Sequence, residues 1–500
     1  MRFAVTMNFP FMRNLYFRFG ARRVPPGIAG VIAGLVLFFS GCGNAYRPVE
    51  YPIAPATGNP KLARFAIVVF QAEDPSQPGF CIDGTIAPCI GATSQLDVSG
   101  DSVVANVYVG HTPVQAALSS LVAVSNHWDD SVSLFGLTTG TPSAGGTIPS
   151  AVSLPAGSGP TAMVAANGAV YVADHGSNQV SVVSPASSAI LPNICLDSSS
   201  PCTASFHPVA LAATPDGTKV YVANSDNSVT VISTVDNTMS TRLTNVTAAQ
   251  PVAIVADSSG DSIYVLENVT PSFSVIDVLT DTTVVSTTAC LQTPPQLSQA
   301  LPCSGGSNFM AFDPNLHRLY VTNPGNNSVS VFDASALSSL ATPKPPTLLA
   351  LVTSQMNGAC AVAPLPDGSR AYVVLGGTTT GCNGSSSAGQ VAVINANSNT
   401  VSGTIAVGNG PITVAASGDG SRVYVPHQGQ GSFVSNGSTV TVATGVTVID
   451  ATTNQLVLEI GSPFTSTSCQ TDYDCPGFKF GAGASPPVAG RMFPVFIVSQ

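Results

Sequence analysis

Charge is scarce in this chain of 500 residues. Only 8% of positions are Asp, Glu, Lys or Arg, and the 16 basic residues are outnumbered by 26 acidic ones. With a net charge of −10 the chain repels phosphate backbones, which argues against nucleic-acid binding. Tryptophan is rarer still: Trp128 stands alone, beside one of only six His. No Cys-x-x-Cys pair occurs, which speaks against thiolate metal sites. Nucleophile-elbow, phosphate-loop, dinucleotide-binding and His-Glu-x-x-His motifs are missing too. The common signatures of hydrolases, nucleotide enzymes and zinc peptidases are therefore absent. An unpatterned Ser–His–Asp set is not excluded, because Ser abounds. "TDYDC" at Thr471–Cys475 is too short to supply the six or more oxygens that calcium needs.

What is present points to strands. Gly, Ser, Thr, Val and Pro dominate, and such β-branched and turn-forming residues favour all-β structure. With 44% hydrophobic residues the chain can bury a large core, so disorder is excluded.

The chain opens on a basic stretch. Residues 1–41 hold Arg2, Arg13, Arg18, Arg22 and Arg23 and no acid, leaving 11 basic against 26 acidic residues in the remainder. The apolar run Ile28–Phe39 is short for a membrane span and fits the core of an export signal. It ends in Phe39-Ser40-Gly41-Cys42, which resembles a bacterial lipoprotein signal. That resemblance implies lipidation of Cys42 as the mature N-terminus and a lipid anchor in the cell envelope. Gly43 replaces the Asp that often retains lipoproteins at an inner membrane, which favours the outer membrane or its periplasmic side. Residues 42–60 are Pro-rich and read as a tether, and residues 61–500 as one domain.

Cysteine counting agrees with export. Apart from Cys42, ten Cys remain as sequence neighbours: Cys81/Cys89, Cys195/Cys202, Cys290/Cys303, Cys360/Cys382 and Cys469/Cys475. An even number at short spacing reads as five local disulfides.

Internal repetition is the strongest signal. "KVYVANSDNSVTVIS" at Lys219–Ser233 returns along the chain, with Tyr171, Tyr221, Tyr264, Tyr320, Tyr372 and Tyr424 as anchors spaced 50, 43, 56, 52 and 52 residues apart. A further copy, "LVAVSNHWDDSVSLF", precedes Tyr171 by 48 residues with Ala123 at the Tyr position, which makes seven. Each copy reads as an apolar strand, a tight turn such as "PDGTK", a "VYV" strand, a polar loop and two more strands. Four antiparallel strands per repeat is the grammar of a β-propeller blade, so the expected fold is an all-β, seven-bladed propeller. "FAIVVF", "VVANVYV" and "MFPVFIV", at residues 65–70, 103–109 and 492–498, are candidates for the seam, and an eighth irregular blade built from both ends is the alternative.

The repeat resembles the YVTN family of β-propellers, whose tetrapeptide stands here as Tyr320-Val321-Thr322-Asn323. The resemblance covers about residues 101–460. It implies the fold but not one activity, since YVTN-type propellers include surface and envelope proteins and the related lactonase-like propellers are enzymes.

Within that fold the loops between the second and third strands share one face, here the top, with the links between blades. His127, Trp128 and Asp129 fall in one such loop, His175 and His427 in two others, and His111 and His207 in links. His111, His127, Trp128, Asp129, His175 and His427 are the candidate ligand-binding residues. The expected role is an envelope module that binds a protein, glycan or small ligand through this face. A lactonase-like hydrolase is the runner-up, to which Asp174, Glu267 and His111 could contribute. A metal-binding redox propeller is third. No cofactor is expected; a transition metal on the His-bearing face is the one the pattern leaves open. The recurrent Asp174, Asn224 and Asn323 after the "YV" strands read as structural, since Asx side chains bond nearby backbone at turns.

Overall fold

The computed structural model describes residues 65–71, 90–137, 151–197, 202, 206–247, 249–267, 272–288, 309–335, 346–377, 382, 388–435, 438–442, 444–462 and 493–499. The signal segment, Cys42, the tether and Cys81, Cys89, Cys290, Cys303, Cys469 and Cys475 lie outside the described residues.

The described residues build eight four-stranded antiparallel sheets and one two-stranded hairpin. Strands are lettered a to d from the axis outward, and blades follow chain order. Blade one begins at Pro113–Leu118, blade two at Pro160–Ala166 and blade three at Pro208–Ala213. Blades four to seven begin at Pro251–Ala256, Phe309–Asp313, Ala361–Pro364 and Ala415–Ala416. Each a strand neighbours the a strand of the next blade, and the sequence of neighbours closes on itself.

The expected seven blades are therefore eight. The eighth is the irregular one foreseen from the chain ends: strand a is Phe493–Ser499, and strands b, c and d are Phe65–Gln71, Ile90–Asp97 and Ser102–His111. Its register explains why the repeat missed it. Tyr221 pairs with Val231 in blade three, and the matching pair in blade eight is Ile67 with Gln95, so the anchor Tyr is absent.

Both faces of each b strand are covered, so its residues are buried without alternation: Val170–Ala173 and Val220–Ala223 are fully buried. Three of the six anchor Tyr join blades through their hydroxyls. The hydroxyl of Tyr171 donates to Asn237 Oδ1 at 2.5 Å, Tyr221 to Asp281 Oδ1 at 2.5 Å and Tyr372 to Asn454 Oδ1 at 2.6 Å. Each acceptor sits in the c–d turn of the following blade with a left-handed φ of 54°, 51° and 56°, a conformation that Asn and Asp tolerate. The basic residue two places before Tyr repeats the reach. Lys219 Nζ meets Asp281 at 2.7 Å, and Arg422 grips both oxygens of Asp101 in blade eight at 2.7 and 2.8 Å. The last grip ties blade seven to the chain-end blade.

Two of the five expected disulfides fall among the described residues, Cys195–Cys202 and Cys360–Cys382, each with Cα atoms 5.2 Å apart.

Candidate functional site

The top face starts from the last residue of each b strand. Asn126, Asp174, Asn224, Glu267, Asn323 and His427 occupy this place, and all are buried. In three blades an Asn there ties strand b to strand c. Asn126 Nδ2 reaches Ser131 and Ser133 at 3.0 Å each, Asn224 reaches Ser228 and Thr230 at 3.0 and 3.1 Å, and Asn323 reaches Ser330 at 3.0 Å. These are scaffold contacts, and they remove the recurrent Asn from the pool of ligand-binding groups.

Asp174 holds the same place in blade two and accepts from Ser181 Oγ at 2.5 Å. Burial pushes its carboxyl up to about 7, because a charged carboxylate is poorly solvated there; hydrogen bonds from Ser181 and Gln179 offset this only in part. The folded value lies above the ordinary one, so the stabilising state is the neutral acid. That contribution is complete below about pH 4 and is lost as pH rises to about 7. Asp174→Asn is expected to flatten this slope and to raise stability at pH 8 by about 1–3 kcal/mol. Asn already fills the equivalent site of three blades. Urea midpoints for both proteins at acidic and alkaline pH check it, and an unchanged slope would count against the assignment.

In blade seven the position carries His427, which is fully buried inside the blade instead of facing solvent. Its Nε2 lies 2.9 Å from Glu459 Oε2, and its Nδ1 lies 2.7 Å from the Gly429 carbonyl. Thr447 donates to Glu459 Oε1 at 2.8 Å and accepts the Gly408 N–H at 2.9 Å. The hairpin of Gly431–Ser435 and Ser438–Val442 rises beside this cluster. It starts at Gly431 because a Cβ there would stand 2.8 Å from both the His427 ring and the Glu459 carboxyl. Glu459 went unnoticed in the sequence, although a lone acid in the apolar strand "QLVLEIG" marks a charge that needs a partner.

The loop from Asn126 to Ser131 is built differently. His127 donates its backbone N–H to Thr112 O at 3.0 Å, and its ring Nδ1 stands 3.1 Å from Pro160 O in blade two. Asp129 faces blade eight: Oδ2 accepts the His111 N–H at 2.6 Å, and Oδ1 lies 2.9 Å from His111 Nδ1. Asp130, at a left-handed φ of 46°, accepts the N–H groups of Gly157 and Gly159 at 2.7 Å each. The loop is thus braced against both neighbouring blades. Trp128 projects from it with 60% of its surface exposed. The side chains of His111 and Asp129 beside it are 43% and 31% exposed.

The bracing recurs in blade two. His175 repeats His127, its Nδ1 lying 3.2 Å from Pro208 O, and Asn178 repeats Asp130 by accepting the His207 N–H at 2.9 Å. The His175 and His207 rings stand 5.0 Å apart. Arg242 lies over the Phe206 ring at 3.9 Å and pairs with Asp226. His111, His127, Trp128 and Asp129 are therefore brought together, His175 lies in the next loop, and His427 is set apart.

The features of the two enzymatic readings can be placed against this geometry. Among the described residues no three His, Cys, Asp or Glu groups gather as a metal site would need. The a strands that line the axis carry one charged residue, Asp313, which is fully buried and caps the N–H groups of Asn315 and Leu316. Asp174 and Glu267 are fully buried, away from any solvent-facing site.

Fold and face together define an eight-bladed β-propeller whose top-face loops in blades one and two are braced against neighbouring blades. No family model matches the chain, and no curated protein does. Solved structures are similar. Dihydro-heme d1 dehydrogenase NirN in complex with DHE is similar over 83% of this chain and 77% of its own, at 13% identity and a TM-score of 0.55. Kuenenia stuttgartiensis hydrazine synthase is similar over 66% of this chain and 95% of its own, at 17% identity and a TM-score of 0.44. A functionally unknown protein from Desulfotomaculum acetoxidans follows at 14% identity, 58% and 78% coverage and a TM-score of 0.41. At these identities the likeness extends to the propeller fold alone.

Proposed function

We propose that the chain is an exported, lipid-anchored propeller of the YVTN type that serves as a binding module of the bacterial envelope. Its ligand is an envelope protein, glycan or small molecule, engaged by the top face over blades eight, one and two. The observation that carries this reading is the braced loop of blade one. Asn126, His127 and Asp130 hold the loop still, while the half-exposed Asp129, paired with His111, and the indole are presented to solvent. Preorganised exposed aromatics suit recognition, because little entropy is lost when they are covered. An axis lined by a strands whose only charged residue is buried favours binding over hydrolysis.

Separation of the envelope tests both halves. Wild-type protein is expected in the membrane fraction, and Cys42→Ser in the soluble fraction. Soluble Cys42→Ser protein is expected to be retained on purified envelope fragments, with retention lost in the Trp128→Ala/Asp129→Ala variant. Retention that survives the double substitution would move the binding face elsewhere.

A further inference from the structure

The site over blade one has a more specific chemistry. Resting on the reading that this face binds a ligand, we infer that Trp128, Asp129 and His111 form a subsite for a neutral sugar, with the indole as platform and the Asp129–His111 pair as hydrogen-bonding rim.

The blade itself has no use for an indole here. Strand pairing fixes the comparison: Asn126 faces Ser131, Asp174 faces Gln179 and Asn323 faces Ser328 across loops of equal length. The residue two past the first member of each pair is Trp128 in blade one, Gly176 in blade two and Gly325 in blade five. Two blades close the same loop with no side chain at that place. Covering the exposed indole would release apolar surface from water, so its exposure is a standing cost that a ligand relieves.

The surroundings of Trp128 point the same way. Among the described residues, the other exposed large apolar ones, Ile190, Val235, Leu279, Leu349 and Val434, lie in other blades. Among the described residues Trp128 thus stands without the contiguous apolar patch that marks a protein-docking centre. Its neighbours are polar. His111 Nδ1 faces the Asp129 carboxylate and so carries the proton in that contact, which leaves Nε2 on an exposed ring. A flat apolar plate edged by a carboxylate and an imidazole complements a molecule with a C–H face and a rim of hydroxyl donors. Pyranose sugars have that build, and those with equatorial substituents present the flattest face to a ring.

Charge narrows the ligand further. The acidic chain and the Asp129 carboxylate repel anionic polymers, so the sugar is a neutral one.

Because Trp128 is the only tryptophan, indole emission reports this site and no other. Wild-type protein is titrated with cellotetraose and with chitotetraose. A saturable change in indole emission with at least one of them is expected. Calorimetry is expected to show about tenfold weaker binding for Trp128→Ala, partial recovery in Trp128→Phe, and a clear loss in Asp129→Asn. Melting curves establish that the variants fold, and an exposed indole is removable without loss of core contacts. No emission change with either sugar, or sugar affinity indifferent to Trp128→Ala, overturns the subsite. Retention on envelope fragments that persists alongside either result leaves the binding reading in place and points to a protein partner. Loss of retention as well would remove both.

Discussion

A chain that stops before Phe493 is expected to be unable to form the closed propeller and to be recovered as aggregate. Strand a of blade eight is the C-terminal Phe493–Ser499, and its only pairing in the blade is with Phe65–Gln71 at the other end of the described domain. The pairing runs from Ala66 with Ser499 to Gln71 with Phe493. Phe496 and Val498 pack beside Ile67, Val69 and Val109, and Ile497 joins the cluster of Val68, Phe70 and Tyr108 on the opposite face. Full burial of a large apolar side chain is worth about 1.5–3 kcal/mol; the buried Ile497 and the partly buried Phe496 and Val498 are lost together with the strand's hydrogen bonds. That sum is comparable to the whole stability of an ordinary domain, about 5–15 kcal/mol. Truncation also bares the apolar edge of Phe65–Phe70, an open template for pairing with other chains. Size-exclusion profiles and far-ultraviolet circular dichroism check it. A soluble truncated monomer that melts with the full-length protein would show that the ring does not depend on this strand.

The second large effect is expected inside blade seven. His427→Ala should lower stability by about 3–5 kcal/mol, because it strands the buried Glu459 with Thr447 as its remaining partner. Glu459→Ala should be comparably harmful. The joint variant His427→Leu/Glu459→Leu is expected to be far milder than either, since removing both partners leaves no uncompensated charge and restores apolar volume. Guanidinium midpoints compare the three, and hydrogen exchange is expected to rise first in the hairpin of Gly431–Val442 in the single variants. If the joint variant were as unstable as the sum of the singles, packing of the imidazole, not its pairing with Glu459, would be what matters.

How much of this was legible in the chain differs by element. The blade grammar was legible because turns and strands are written locally: "PDGTK" ends a strand wherever it stands, and Gly217 takes the φ of 70° that the turn needs. The recurrent Tyr was visible as repetition but not as a latch, because the partners of Tyr171, Tyr221 and Tyr372, Asn237, Asp281 and Asn454, lie 60 to 82 residues away. Blade eight was legible only as leftover apolar strands. Its pieces are split between the two ends, and Ile67 in place of Tyr removes the repeat signal. The top-face residues were found by position, and His127, His175 and His427 were all read as loop residues between the second and third strands. His127 and His175 do repeat each other in bonding the next blade's Pro carbonyl. His427 does not, because it stands one place earlier, at the strand-end position of Asn126 and Asp174, where the side chain is buried and meets Glu459.

The sequence by itself determined that this is an all-β propeller of four-stranded blades, with neighbouring cysteines paired at Cys195–Cys202 and Cys360–Cys382. Those properties follow from short-range patterns of apolar, β-branched and turn residues. Only the tertiary structure decided that the blades number eight, that His427 is interior and that Trp128 points into solvent. Each of these depends on contacts between distant segments: Phe65–Gln71 with Phe493–Ser499, His427 with Glu459, and the blade-one loop with both neighbouring blades. Side-chain direction at a loop is set by what braces the loop, and the braces of Asn126–Ser131 come from His111 on one side and Gly157–Pro160 on the other.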